Sequence, residues 1–145
     1  MASESFADRL ERSKKASGPI VAERMFELGG RPRAVRVRFR KPRRDPKTGN
    51  HWCTFDVSGW EKALSFKVWG VDSLQALQLA MRAAGELLRE KGHEMTWCGD
   101  QDLGFPRTYP SFLPSSAHSR IERMIDREIT KAERPPRRKR LSKVG

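Results

Sequence analysis

One stretch constrains the fold more than any other: residues 73–91 read as a single buried helix. Asp72 precedes it and is a good N-cap, because its carboxylate accepts hydrogen bonds from the free amides of a first turn. Gln75 follows three residues later, which completes a capping-box pattern. Gly92 stands at the other end and suits the left-handed residue that closes a helix. Between these signals Leu74, Leu77, Met81, Ala84, Leu87 and Leu88 recur at helical spacing. Ala76, Leu79, Ala80 and Ala83 widen the stripe, so the helix needs burial on more than one side. Gln78, Arg82, Glu86, Arg89 and Glu90 supply the wet side.

Something flat must cover that helix, and the preceding residues provide it. Residues 20–28 read as a strand, and Gly29-Gly30-Arg31-Pro32 as a turn. Over 34–41 the period is two: Val35, Val37 and Phe39 alternate with Arg36, Arg38 and Arg40. One face of this strand enters a core, and the other presents three guanidinium groups ~7 Å apart, twice the rise per residue. A loop over 42–50 leads to a third strand, 51–57, with Cys53, Phe55 and Val57 inward and Trp52, Thr54 and Asp56 outward. A fourth strand, 60–69, carries Leu64, Phe66 and Val68 on one face. Short connections make these four an antiparallel meander. Residues 93–97 suit a short fifth strand. The expectation is an α+β domain over 20–114, an antiparallel sheet of four or five strands covered by one central helix.

Outside that domain the signals are simpler. Residues 1–19 form an arm or a short helix over 3–15, with Phe6 and Leu10 on one side. Residues 98–114 form a loop in which Leu103, Phe105, Tyr109, Phe112 and Leu113 are spaced among glycine and prolines, so the aromatics can pin it to the body. Residues 115–134 make a last helix, whose stripe is Ile121, Met124, Ile125, Ile129 and Ala132. Pro135-Pro136 ends it, and residues 137–145 form a basic tail that is mobile when free.

Charge sets the class of partner. The chain carries a formal charge of +12. Residues 31–47 hold nine basic residues against one acidic, and residues 131–143 hold seven against one, so the remainder is slightly acidic. A nearly neutral body with two strongly basic segments points to nucleic acid or an acidic protein surface. No apolar run is long enough for a transmembrane helix, and residues 1–8 lack a signal-peptide pattern. Two cysteines, Cys53 and Cys98, make no disulfide framework. A cytoplasmic setting without membrane contact follows as the expectation.

Chemistry-bearing residues are sparse. His51, Cys53, His93 and Cys98 are the conceivable zinc set, but no tight Cys-x-x-Cys anchor is present. Cysteine beside tryptophan is more simply a buried small hydrophobe. Cys53 with His51, or Cys98 with His93 or His118, can be drawn as dyads, yet no nucleophile signature surrounds either cysteine. Asp100 and Asp102 are one acidic pair in a loop, where aspartate is usually turn chemistry. Gly29-Gly30 lacks the Lys-Ser/Thr of a phosphate loop. The chain is therefore read as non-enzymatic, without metal or cofactor.

The stretch Trp52-Cys53, Gly70-Val-Asp-Ser-Leu-Gln-Ala-Leu-Gln-Leu-Ala80 and Asp102-Leu-Gly-Phe-Pro106 resembles a family of small bacterial proteins of unknown function, over roughly residues 20–107. The resemblance implies a bacterial origin and a compact sheet-plus-helix domain, with no mechanism attached. In layout the chain is also similar to bacterial antitoxins with a partial ribonuclease-H-like fold, although it lacks their acidic, proline-bearing strand before the helix. Two functions follow as expectations. The first is binding of a polyanion, nucleic acid or nucleoprotein, through Arg36, Arg38, Arg40, Lys41, Arg43 and Arg44 together with Arg137, Arg138, Lys139 and Arg140. The second is an immunity- or antitoxin-like protein that inhibits a specific bacterial protein partner through Phe105, Tyr109, Phe112 and the last helix.

Overall fold

The alternation of valine, phenylalanine and arginine is realised as a long strand at the middle of a seven-stranded antiparallel sheet. The computed structural model describes residues 5–14, 16–60, 62–90, 92, 94–107, 109 and 112–134. These fall into two compact units, Met1–Arg107 and Thr108–Gly145. The strands are β1 (Glu11–Arg12), β2 (Ile20–Leu28), β3 (Arg31–Arg40), β4 (Arg43–Arg44), β5 (His51–Ser58), β6 (Leu64–Gly70) and β7 (Met95–Thr96). Their order in space is β1-β6-β5-β3-β2-β7, with β4 pairing β5. The meander β2-β3-β5-β6 is as expected from the short connections, and β1 and β7 extend its two edges.

One face of the sheet is the core. Val35, Val37 and Phe39 of β3, Cys53, Phe55 and Val57 of β5, and Phe66 of β6 are all buried. Directly paired residues share a face, and a row of rings follows from that register: Phe39 lies 6.0 Å from Phe55, and Phe55 lies 5.2 Å from Phe66. Each such side chain contributes about 1.5–3 kcal/mol by leaving water.

Helix α2 (Ser73–Arg89) covers this face. Asp72 Oδ1 accepts from the Gln75 amide at 2.8 Å, and Gln75 Oε1 accepts from the Val71 amide at 2.7 Å. The side chain of Gln75 thus reaches one residue further back than in the usual capping box. The buried face is Ala76, Ala80, Ala83, Ala84, Leu87 and Leu88, all within the expected stripe and weighted to its alanine side. Leu74 is exposed, and Leu77 and Met81 are only half-buried. Small residues at the contact let the helix axis approach the sheet, which the larger side chains would prevent. Gly70 completes this approach: a Cβ there would lie 2.4 Å from the Ala76 nitrogen.

The N-terminal residues differ from the helix expected over 3–15. Helix α1 (Phe6–Arg9) has a single turn, closed by the Ser5–Asp8 capping box. The chain then adds β1 to the edge of β6, so two strand residues replace the second turn. Phe6, Ala7 and Leu10 pack on the core. In the second unit, α3 (Ser115–Glu133) runs as expected, and none of its residues is buried within the chain.

Candidate polyanion-binding surface

Within the first unit both helices lie on the core side, and the side chains of the opposite face of the sheet fall into rows fixed by the register. In one row Arg38 pairs with Glu23 and Asp56, and Asp56 pairs with Ser65. In the next, Thr54 pairs with Lys67 and Lys67 with Glu11. In the row at the end of the sheet, Arg43 pairs with Trp52 and Trp52 with Trp69.

This arrangement divides the arginines that the sequence groups together. Arg40 Nε and Nη2 donate to Asp56 Oδ2 at 3.1 and 2.8 Å, and Arg40 Nη1 donates to the Gly18 carbonyl at 3.0 Å. Ser65 Oγ holds the other Asp56 oxygen at 2.9 Å. With both side chains about four-fifths buried, this pair fixes β3 against β5 and leaves little of the Arg40 charge for a partner. Arg38 Nε stands 3.5 Å from Glu23 Oε2 as an ion pair, without a hydrogen bond at that nitrogen. Such a half-exposed pair is weak, so Arg38 remains recruitable. Arg36 has no ion pair among the described residues and faces Met25 and Ser58 across the ladder.

The uncompensated charge collects at the β4 end. The loop after β3 returns beside β5, and its turn is organised by Asp45, which accepts from the Lys47 amide at 3.0 Å and from Thr48 Oγ1 at 2.9 Å. That carboxylate is spent within the loop. Lys41, Arg43, Arg44 and Lys47 are exposed around it. Lys67, which sequence reasoning did not single out, stands near Arg43 on the open face, with Nζ 5.1 Å from the Trp52 ring and 5.6 Å from the Trp69 ring. Trp52 and Trp69 were also not selected, although their alternation with inward residues was readable. Only the register shows that they stand opposite one another.

The other expected sites fare differently. Arg137, Arg138, Lys139 and Arg140 lie outside the described residues. Phe105 is turned inward, stacked 5.8 Å from Phe26 and edge-on 6.4 Å from Phe39, so it is a core anchor and not a free contact. Arg24 fixes that loop: Nη1 donates to the carbonyls of Leu103 and Gly104 at 3.1 and 2.8 Å, and its guanidinium covers the Trp97 ring at 3.9 Å. Gly85 of α2 makes room, since a Cβ there would lie 2.8 Å from the Phe105 Cβ. Within the second unit the Tyr109 ring lies 5.5 Å from that of His118, and Phe112 is 83 % exposed.

The residues considered for catalysis or metal binding stand apart from this face or within loops. Cys53 is buried against the sheet, its thiol donates to the Arg40 carbonyl at 3.3 Å, and burial pushes it up to about 11. It is protonated at neutral pH, the wrong state for a nucleophile or ligand. Cys98 is exposed, and His93 lies outside the described residues. Asp100 and Asp102 accept from the amides of Asp102 and Gly104 at 3.0 and 2.9 Å, which is turn chemistry. Among the described residues no group of three or more His, Cys, Asp or Glu is placed to hold a metal, and no helix is long and apolar enough to cross a membrane.

Neither a curated protein nor a solved structure gives a significant match to the chain. A family model described as a domain of unknown function (DUF6968) matches residues 22–107, from β2 through the loop pinned by Arg24. That span is more than half of the 145 residues, and the chain belongs to this family of unknown function.

Proposed function

We propose that the chain is a non-enzymatic bacterial binding protein of the cytoplasm that engages a polyanionic partner, nucleic acid or nucleoprotein. The observation that carries this reading is the cluster of exposed cations at the β4 end of the sheet, Lys41, Arg43, Arg44 and Lys47, whose one intervening acid, Asp45, is occupied within its own loop; of these, Arg43 stands on the face of Trp52, and Arg44, opposite His51, on the other. Lys67 adjoins Arg43 on the open face, and Arg36 lies further along it, beyond the row of Glu23, Arg38 and Asp56. Arg38 is recruitable, and Arg40 serves the fold. The basic residues 137–140 add charge from beyond α3. Contacts of this kind neutralise phosphates and release counterions, so binding falls steeply with salt. The test is affinity capture of the tagged chain from bacterial lysate with and without nuclease, at two salt concentrations. Recovery of nucleic acid that is lost to nuclease and to salt supports the reading. An unchanged recovery after charge reversal of Arg43, Arg44 and Lys67 would sink it.

A second reading rests on α3. Met124, Ile125 and Ile129 are 63, 45 and 49 % exposed, and Phe112 is 83 % exposed. A stripe of that kind fits an apolar groove on a protein partner, as in an immunity- or antitoxin-like inhibitor. One stoichiometric protein surviving both nuclease and high salt in the same capture would favour it.

A further inference from the structure

We propose that the polyanion is single-stranded, and that an unpaired nucleobase stacks on Trp69 beside Trp52, with its phosphates on Lys67 and Arg43. The inference rests on the polyanion reading above and names its substrate class. It is carried by the tryptophan pair, an observation independent of the charge count.

Trp52 and Trp69 are directly paired across β5 and β6, with ring centroids 5.5 Å apart and planes at 54°. A cross-strand aromatic pair stabilises a sheet, but that role is best served by covering both rings. Here Trp69 is 39 % exposed, on the face opposite the helices of its own unit. Its orientation is nevertheless fixed, because Nε1 donates to Glu11 Oε2 at 2.8 Å and Trp52 abuts the ring. An aromatic held in place before binding loses little entropy on stacking. Successive strands lie about 4.8 Å apart, so Arg43, Trp52 and Trp69 form a row in which a cation is two strands from the exposed ring. Lys67 completes the group from the adjoining row.

Stacking platforms flanked by cations are how proteins hold single strands without reading sequence. A duplex hides its base faces and can use only the cations, so the arrangement discriminates by strandedness. The chemistry is common to DNA and RNA, which differ at the 2′-hydroxyl and in the 5-methyl group of thymine.

The experiment titrates the full chain with a 12-nucleotide oligo-dT, the matching oligo-U, a hairpin duplex and heparin, following tryptophan fluorescence and anisotropy. The proposal expects tighter binding of a single strand than of the hairpin, with quenching. It expects Trp69→Ala to weaken single-strand binding by about 5- to 100-fold, Trp69→Phe to restore most of it, and heparin affinity to stay within about twofold in both. The oligo-dT and oligo-U arms separate DNA from RNA. Equal affinity of the wild-type chain for single strand and hairpin, without quenching, overturns the inference and leaves the polyanion reading standing, and it needs no variant to fold. A folded Trp69→Ala variant with unchanged single-strand affinity overturns it equally. Failure to bind any of the four polyanions overturns both readings.

Discussion

The Arg40–Asp56 pair gives the sharpest test of how this face divides its charge. Asp56 accepts three hydrogen bonds, two from Arg40 and one from Ser65. The two ion-pair side chains are only 20 and 18 % exposed, so this is not a solvent-screened surface pair. Replacing Asp56 with Ala strands a largely buried guanidinium that keeps only its bond to the Gly18 carbonyl. Hydrogen bonds to charged groups contribute about 1.5–3 kcal/mol each, and breaking a buried pair from one side costs about 3–5 kcal/mol. With the partial exposure here, the expected loss is about 2–4 kcal/mol for Asp56→Ala and for Arg40→Ala, read from urea unfolding. The double variant should lose less than the sum by at least about 1 kcal/mol. Binding should behave in the opposite sense. Arg40→Ala leaves nucleic-acid affinity within about twofold, because its charge is already committed. Arg43→Ala weakens binding and flattens the salt dependence by about 0.7 for one single-strand phosphate. Should Arg40→Ala weaken binding as much as Arg43→Ala, or should the two losses of stability simply add, the division of charge argued here is wrong.

Other perturbations follow from single contacts. Gly70→Ala drives a Cβ to 2.4 Å from the Ala76 nitrogen and 2.8 Å from its Cα, both main chain, so the start of α2 must move. A loss of about 2–3 kcal/mol is expected in urea unfolding, against the small gain that alanine brings where it fits. Asp72→Ala removes the cap on Gln75 and should cost about 1 kcal/mol by the same assay. Cys53 is raised by burial from 9.0 to about 11, so its contribution is complete below about pH 9 and lost as pH rises through about 11. That gap corresponds to about 2–3 kcal/mol, and the steeper alkaline decline of wild type relative to Cys53→Ala measures it. Iodoacetamide should label the exposed Cys98 in the native chain and reach the buried Cys53 only on unfolding, as peptide mass mapping would show.

What was legible in the sequence is what short-range pattern controls. The period-two run of β3 fixed which residues enter the core, and Asp72 with Gln75 marked the start of α2. The sheet, its order along the meander and the covering helix followed from these. The buried alanines and leucines of α2 all fall within the expected stripe, but its centre lies on the alanines, where size read as burial places it on the leucines. At a close helix–sheet contact, alanine is the residue that fits, and Leu74 is left outside. The site was less legible, because it depends on long-range register. Arg36, Arg38 and Arg40 are equivalent by spacing, and only Asp56 and Glu23 on neighbouring strands distinguish them. Trp52 and Trp69 are 17 positions apart in sequence and become one pair through the β5–β6 ladder. Phe105 read both as a pin for its proline-rich loop and as a partner contact, and what decides for the pin is Arg24, 81 positions earlier, which holds the adjoining Leu103 and Gly104.

The most direct measurement of the central claim is the binding isotherm of the full chain for a short nucleic acid, repeated over a range of salt. Engagement of three to five phosphates by the β4-end cations predicts a slope of log K against log salt of about −2 to −4, reduced in a variant with Arg43, Arg44 and Lys67 reversed to Glu. A slope near zero, or an isotherm indifferent to those reversals, would contradict the account and direct attention to α3.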